Sequence, residues 1–204
     1  MEVENMKKNK EIKDVATNNV QYKPFGWGDC LDYLFRISSD LQPRVNVVLS
    51  MTLLEKLILD ILMHFIVVVP GREKTLRELP ASAKIRLIYY LGLIDTHHYQ
   101  ILDNINTIRN KFVHRIEVSN FDHEVITKKM DIIRKLKPIE QWFKQFKFGG
   151  SNRTLQQEFD AIIHYLTIYL LEQQEVEPLK IKRTDFYHLL QALKKLKKEK
   201  KEHN

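Results

Sequence analysis

A chain of 204 residues that is 44% apolar and 29% charged has the composition of one folded domain with a substantial core, which excludes a disordered polymer. The single cysteine, Cys30, excludes an intrachain disulfide and any cysteine-based zinc cluster, and fits a reducing cytoplasm. No cofactor or metal is expected. The net charge of +7 invites nucleic acid, but six lysines against two glutamates between Lys194 and Asn204 carry more than half of it.

Apolar residues recur at three- and four-residue spacings almost throughout, so the chain reads as all-α. Residues 1–22 form a polar tail without the apolar run of a signal peptide. Residues 23–193 form the helical domain, and residues 194–204 a lysine-rich tail for which solvation is the plain explanation and a phosphate-binding arm the sharper one. Gly26-Trp27-Gly28 reads as a turn, and Asp29 as the cap of a short helix holding Leu31, Leu34, Phe35 and Ile37. Pro43 interrupts that helix or starts the next.

From Arg44 to Val68 the pattern is apolar around most of the circumference, which predicts a central helix ending before Pro70-Gly71. Glu55, Lys56, Asp60 and His64 would penalise bilayer insertion of this stretch, so no membrane partner is expected. On it Asn46, Ser50, Lys56, Asp60 and His64 share a polar stripe, while Glu55 projects from the opposite, apolar arc.

A short helix follows, then one over Ser82–Leu91 closed by Gly92, with Leu93 and Ile94 folding back on its last turn. Asp95 caps a helix from about His97 to Ile116. The pattern from Phe121 to Phe148 predicts an amphipathic helix that Pro138 kinks or splits, closed by Gly149-Gly150-Ser151. Further helices are expected over Leu155–Gln173 and Thr184–Lys201.

The segment Arg109-Asn110-Lys111-Phe112-Val113-His114 places a fixed cation, an amide and a titratable imidazole within about two turns of one helix. Ile101, Ile105, Ile108 and Phe112 define its apolar face, with Arg109 roughly 50° from the centre. An arginine on that shoulder calls for a carboxylate, and Glu55 of the central helix is the expected partner. That pair would either fix helix register or orient Arg109 toward a phosphate.

His114, with an unperturbed pKa near ~6.5, can accept and return a proton at neutral pH. Arg109 can stabilise charge on a pentacoordinate phosphate, and Asn110 can orient the phosphate or the ring. The plainer alternative is a histidine that hydrogen-bonds the last carbonyls of its helix. His97-His98 lacks the acidic neighbours of a metal site, and Tyr89-Tyr90 and Trp142-Phe143 read as half core, half boundary. No phosphate loop, nucleophile elbow or helix-turn-helix is found, so direct sequence-specific DNA binding is not expected.

Arg109-Asn110-x-x-x-His114, late in an all-α domain, resembles the RxxxxH signature of the HEPN superfamily. Ser82-Ala83-Lys84-Ile85, Leu91-Gly92-Leu93-Ile94 and Ile108 to His114, in that order, are similar to core segments of the bacterial mannitol-operon-repressor family. Ser39-Asp40 and Leu53-Leu54-Glu55 fit its upstream helix. The resemblance runs from about Ser39 to about Phe121 and implies a HEPN-like helical bundle, commonly a homodimer, with additional C-terminal helices in this chain.

It further implies one of two functions. The first is metal-independent RNA cleavage at a dimer cleft by Arg109, Asn110 and His114. The second is a non-catalytic transcriptional regulator acting through RNA or a protein partner.

Overall fold

The computed structural model describes residues 28–29, 41–66, 73–145 and 153–175. Among them every regular element is a helix. The tail at 1–22, the apolar residues of the first short helix, the Gly149–Ser151 closure, the Thr184–Lys201 helix and the lysine tail lie outside the described residues. Gly28 and Asp29 are themselves helical, not turn and cap.

Among the described residues, besides the helical Gly28 and Asp29, run α1 (Pro43–Phe65), α2 (Glu73–Arg77), α3 (Ala81–Tyr90), α4 (Thr96–His114), α5 (Glu124–Arg134), α6 (Lys137–Gln145) and α7 (Leu155–Glu175). Pro43 begins α1 as its first residue, where its missing N–H costs nothing and its fixed φ is already helical. The helix closes at Phe65, because Ile66 is extended at ψ 125°, earlier than the Val68 expected.

α1 is the axis of the bundle, in contact with α3, α4 and α7, while α4 also packs on α3 and α5. Met51, Leu54, Leu57, Ile58, Ile61 and Leu62 meet Ile101, Ile105, Ile108 and Phe112 of α4, Ile85 and Ile88 of α3 and Ile162, Leu166 and Leu170 of α7 in one core. Each such side chain stabilises the fold by about 1.5–3 kcal/mol through burial. Apolar residues on nearly every side of α1 are what a helix enclosed by three others requires.

The turns follow local chemistry. Gly92 takes φ +70°, its N–H donates to Tyr89 O at 2.9 Å, and Leu93 N–H donates to Ile88 O at 3.0 Å. That is a Schellman closure, and Ile94 then folds into the core. Asp95 caps α4, its Oδ1 accepting from His98 N–H at 3.0 Å. Pro138 falls at the second residue of α6, after a turn at Lys135 and Leu136, so the long amphipathic segment is split into α5 and α6.

At the start of α7, Thr154 Oγ1 accepts from Gln157 N–H at 3.2 Å while Gln157 Oε1 accepts from Thr154 N–H at 3.1 Å. This reciprocal capping box satisfies two helix-start donors at once.

The polar stripe of α1 is partly internal, with His64 exposed and Lys56 half-buried. Asn46, Ser50 and Asp60 are buried; Ser50 Oγ donates to Asn46 Oδ1 at 3.1 Å, and Asn46 Nδ2 donates to Asp160 Oδ1 of α7 at 2.8 Å. Asp60 is bound by Lys56 at 3.0 Å. These bonds offset the desolvation of polar groups between α1 and α7.

Candidate functional site at the end of helix α4

The face of α4 that carries Ile101, Ile105, Ile108 and Phe112 is fully buried, which forces the opposite face of its last two turns outward. Asn110 and His114 are exposed and Arg109 is half-buried. One Arg109 Nη1 proton is donated to Asn110 Oδ1 at 3.0 Å, and among the described residues no carboxylate pairs with Arg109. The guanidinium has five N–H donors, and among the described residues one of them is engaged, by Asn110. Thus the structure brings Arg109 and Asn110 together and sets His114 one turn along, on the side of Asn110.

The expected Glu55–Arg109 pair is not formed. Glu55 Oε1 accepts from Lys84 Nζ of α3 at 2.6 Å. The arc of α1 that carries Glu55 faces α3, where the stem of Lys84 is buried and its ammonium, 4% exposed at the side chain, has this carboxylate as partner. Arg109 does not need one, because the shoulder of α4 opens to water there. Glu55 is therefore the counter-ion of a buried lysine, and it does not orient Arg109.

The negative pole of the α4 dipole lies at this end, which by itself would repel a phosphate. Cations oppose it. Lys111 and His114 occupy the last turn, and Arg44 Nη2 of α1 donates to Arg115 O and Val118 O, each at 3.3 Å. Arg44 ties the connection after α4 back to α1, so the helix ends at His114, two residues before the Ile116 expected, and Val118 returns to the core. Ile116, 89% exposed, and Val113 and Val45, about half as much, add apolar surface beside these cations.

A second cluster escaped sequence reasoning. His98 is buried, with Nδ1 2.8 Å from Asp95 Oδ2 and Nε2 2.6 Å from Tyr165 Oη of α7. A carboxylate only accepts, so the proton sits on Nδ1 and the Tyr165 hydroxyl donates to Nε2. The ring lies flat on Tyr169, with centroids 3.5 Å apart and planes 3° from parallel.

Burial pushes the His98 pKa down, against the upward pull of Asp95. Burial of the Asp95 carboxyl is outweighed by hydrogen bonds from His98, so its pKa falls. Tyr165 is pushed up by burial, reinforced by the charges of its neighbours. A phenol held so firmly protonated is a donor, not a nucleophile, and the Asp95–His98–Tyr165 chain is a brace between α4 and α7.

The available signals were Asp95-x-x-His98 at a helix start and the one-turn spacing of Tyr165 and Tyr169. Among the described residues no three His, Cys, Asp or Glu side chains cluster so as to hold a metal ion, and no helix is long and apolar enough to cross a membrane.

No protein-family model and no curated protein matches the chain. Among solved structures, the chain is similar to one from the X-ray structure of the MtlR–HPr complex from Escherichia coli, with a TM-score of 0.48 and 16% identity over 72% of this chain and 98% of that one.

Proposed function

We propose that this is a HEPN-like regulatory protein of the mannitol-operon-repressor type that holds RNA on the Arg109–Asn110–His114 face. It acts as a homodimer in the cytoplasm, with two such faces joined into a longer cleft. The observation that supports RNA is the exposure of Asn110 and His114 on one helix end beside a half-buried Arg109 that no carboxylate among the described residues neutralises. Arg109 offers paired N–H donors to a phosphate, Asn110 holds the guanidinium in place, and His114 supplies a proton-exchanging group one turn away.

The same set defines a cleavage chemistry. His114 would take the proton of a ribose 2′-hydroxyl as its oxygen attacks the adjacent phosphorus. The bond to the 5′-oxygen breaks, that oxygen recovers a proton, and a 2′,3′-cyclic phosphate is left. Arg109 would stabilise the extra charge on the pentacoordinate phosphate. No metal is needed for this balance.

A second reading, a regulator that docks a protein partner, draws on the exposed aliphatic side chains of Ile116, Val113 and Val45 beside the cations. RNA binding by the full chain, measured by anisotropy with labelled single strands in excess chelator, separates the two. Under the RNA reading Arg109→Ala weakens binding roughly 10-fold or more, as expected for one charge-assisted phosphate contact. His114→Ala abolishes any cyclic-phosphate product while sparing binding. Absence of RNA binding by the unmodified protein overturns this reading in favour of a protein partner. Light scattering that shows only monomer at tens of micromolar, a rough working concentration, overturns the homodimer.

A further inference from the structure

We infer that single-stranded RNA held at the exposed end of α4 reaches back to a tyrosine platform at the start of that helix, on which its bases stack. This deepens the RNA reading and rests on it. The platform is built from two helices. Tyr89 of α3 stacks on Tyr99 of α4, with ring centroids 4.5 Å apart and planes 22° from parallel, and Tyr90 lies 5.7 Å from Tyr89. Tyr90 is 62% exposed, unusual for a ring of this size next to a core that could bury it.

Helix geometry joins this platform to the cationic end. At about 100° per residue, Tyr99, Asn106, Asn110 and Val113 fall within about 60° of one another, flanked by Arg109 and His114. They form one stripe. Tyr99 and Asn110 are about 16 Å apart along the axis, enough for about five stacked nucleotides at about 3.4 Å each.

One more group fits the track. Arg86 is exposed one turn before Tyr90 on α3, placed for the phosphate of a base stacked on that ring. Asp103 is the carboxylate of the stripe, half-buried. It disfavours a phosphate at mid-helix, so the phosphates gripped are those at the two ends, on Arg86 and Arg109, and those between them turn to solvent.

The test compares the full chain with Tyr90→Ala, Tyr90→Trp and Arg109→Ala. The probes are a labelled ten-nucleotide RNA and the same backbone with its bases removed. Stacking on Tyr90 predicts that Tyr90→Ala weakens binding of the intact strand about 5- to 150-fold, that Tyr90→Trp preserves it, and that binding of the abasic strand is unchanged by either. Equal binding of the intact strand by Tyr90→Ala, with loss in Arg109→Ala, overturns the platform and keeps the phosphate site. Failure of the unmodified protein to bind either strand overturns both.

Discussion

Replacing Asp160 with asparagine should stabilise the protein at neutral pH and do nothing at acid pH. Asp160 lies half-buried on α7 against Asn46. Burial raises its pKa from 3.8 to about 6, even though the Asn46 amide pulls the other way. A carboxyl whose folded value is raised favours the fold when protonated. That contribution is complete below the unfolded value and is lost as pH rises through about 6.

At pH 7 the full difference of about two units corresponds to about 3 kcal/mol, and solvent screening of a half-buried group reduces this to roughly 1–1.5 kcal/mol. Asparagine is nearly isosteric, carries no charge and keeps an oxygen for the Asn46 donor, so Asp160→Asn removes the penalty without opening a cavity. For a chain of this size the gain is a rise in melting temperature of roughly 2–6 °C at pH 7, shrinking to nothing near pH 4. Calorimetry across pH 4–8 on both proteins reads this directly. A gap that does not change with pH, or an asparagine variant less stable at pH 7, would refute the argument that Asp160 is ionised against its surroundings.

Three other perturbations follow from the same geometry. Glu55→Ala strands the buried Lys84 ammonium and should cost about 3–5 kcal/mol in urea unfolding, whereas Glu55→Ala with Lys84→Met should recover most of it; equal losses would show that the pair is not coupled. His98 should titrate below its usual range because burial disfavours the cation, so its contribution is present above about 6.5 and fades as pH falls through the lowered value; nitrogen NMR should find the proton on Nδ1, and titration above 6.5 would contradict the brace. Gly92→Ala forces a side chain into the left-handed conformation at φ +70° and should destabilise by about 1 kcal/mol although the added methyl meets open space; no change in melting temperature would mean the closure of α3 tolerates another turn.

The all-α architecture was legible because its cues are local. The periodicity of Ile101, Ile105, Ile108 and Phe112 locates α4, Gly92 and Asp95 bound α3 and α4, and Pro138 splits the segment that follows. The exposure of Asn110 and His114 was legible for the same reason, since a buried arc on one side of a helix defines the other. Partner choice between helices was not. Glu55 was correctly singled out as a carboxylate on an apolar arc, but a helical wheel gives no information on which neighbour that arc meets, and it meets Lys84 of α3.

The same limit hid the brace and the interior stripe. His98 finds Tyr165 across 67 residues and Asn46 finds Asp160 across 114, separations at which no spacing rule operates. A polar residue in a periodic pattern reads as surface until the helix that covers it is known. Asn46 and Ser50 are buried because α7 lies over them; Asn46 is satisfied by Asp160 of α7, and Ser50 by Asn46. Arg109 is the converse case. Its place on the shoulder of α4 argued for a buried ion pair, yet the bundle leaves that shoulder open to water and places the tyrosine pair of α3 beside the start of the same helix. The groups that tertiary packing leaves reachable on that side, Arg109, Asn110 and Tyr90, are those with which a ligand would have to interact.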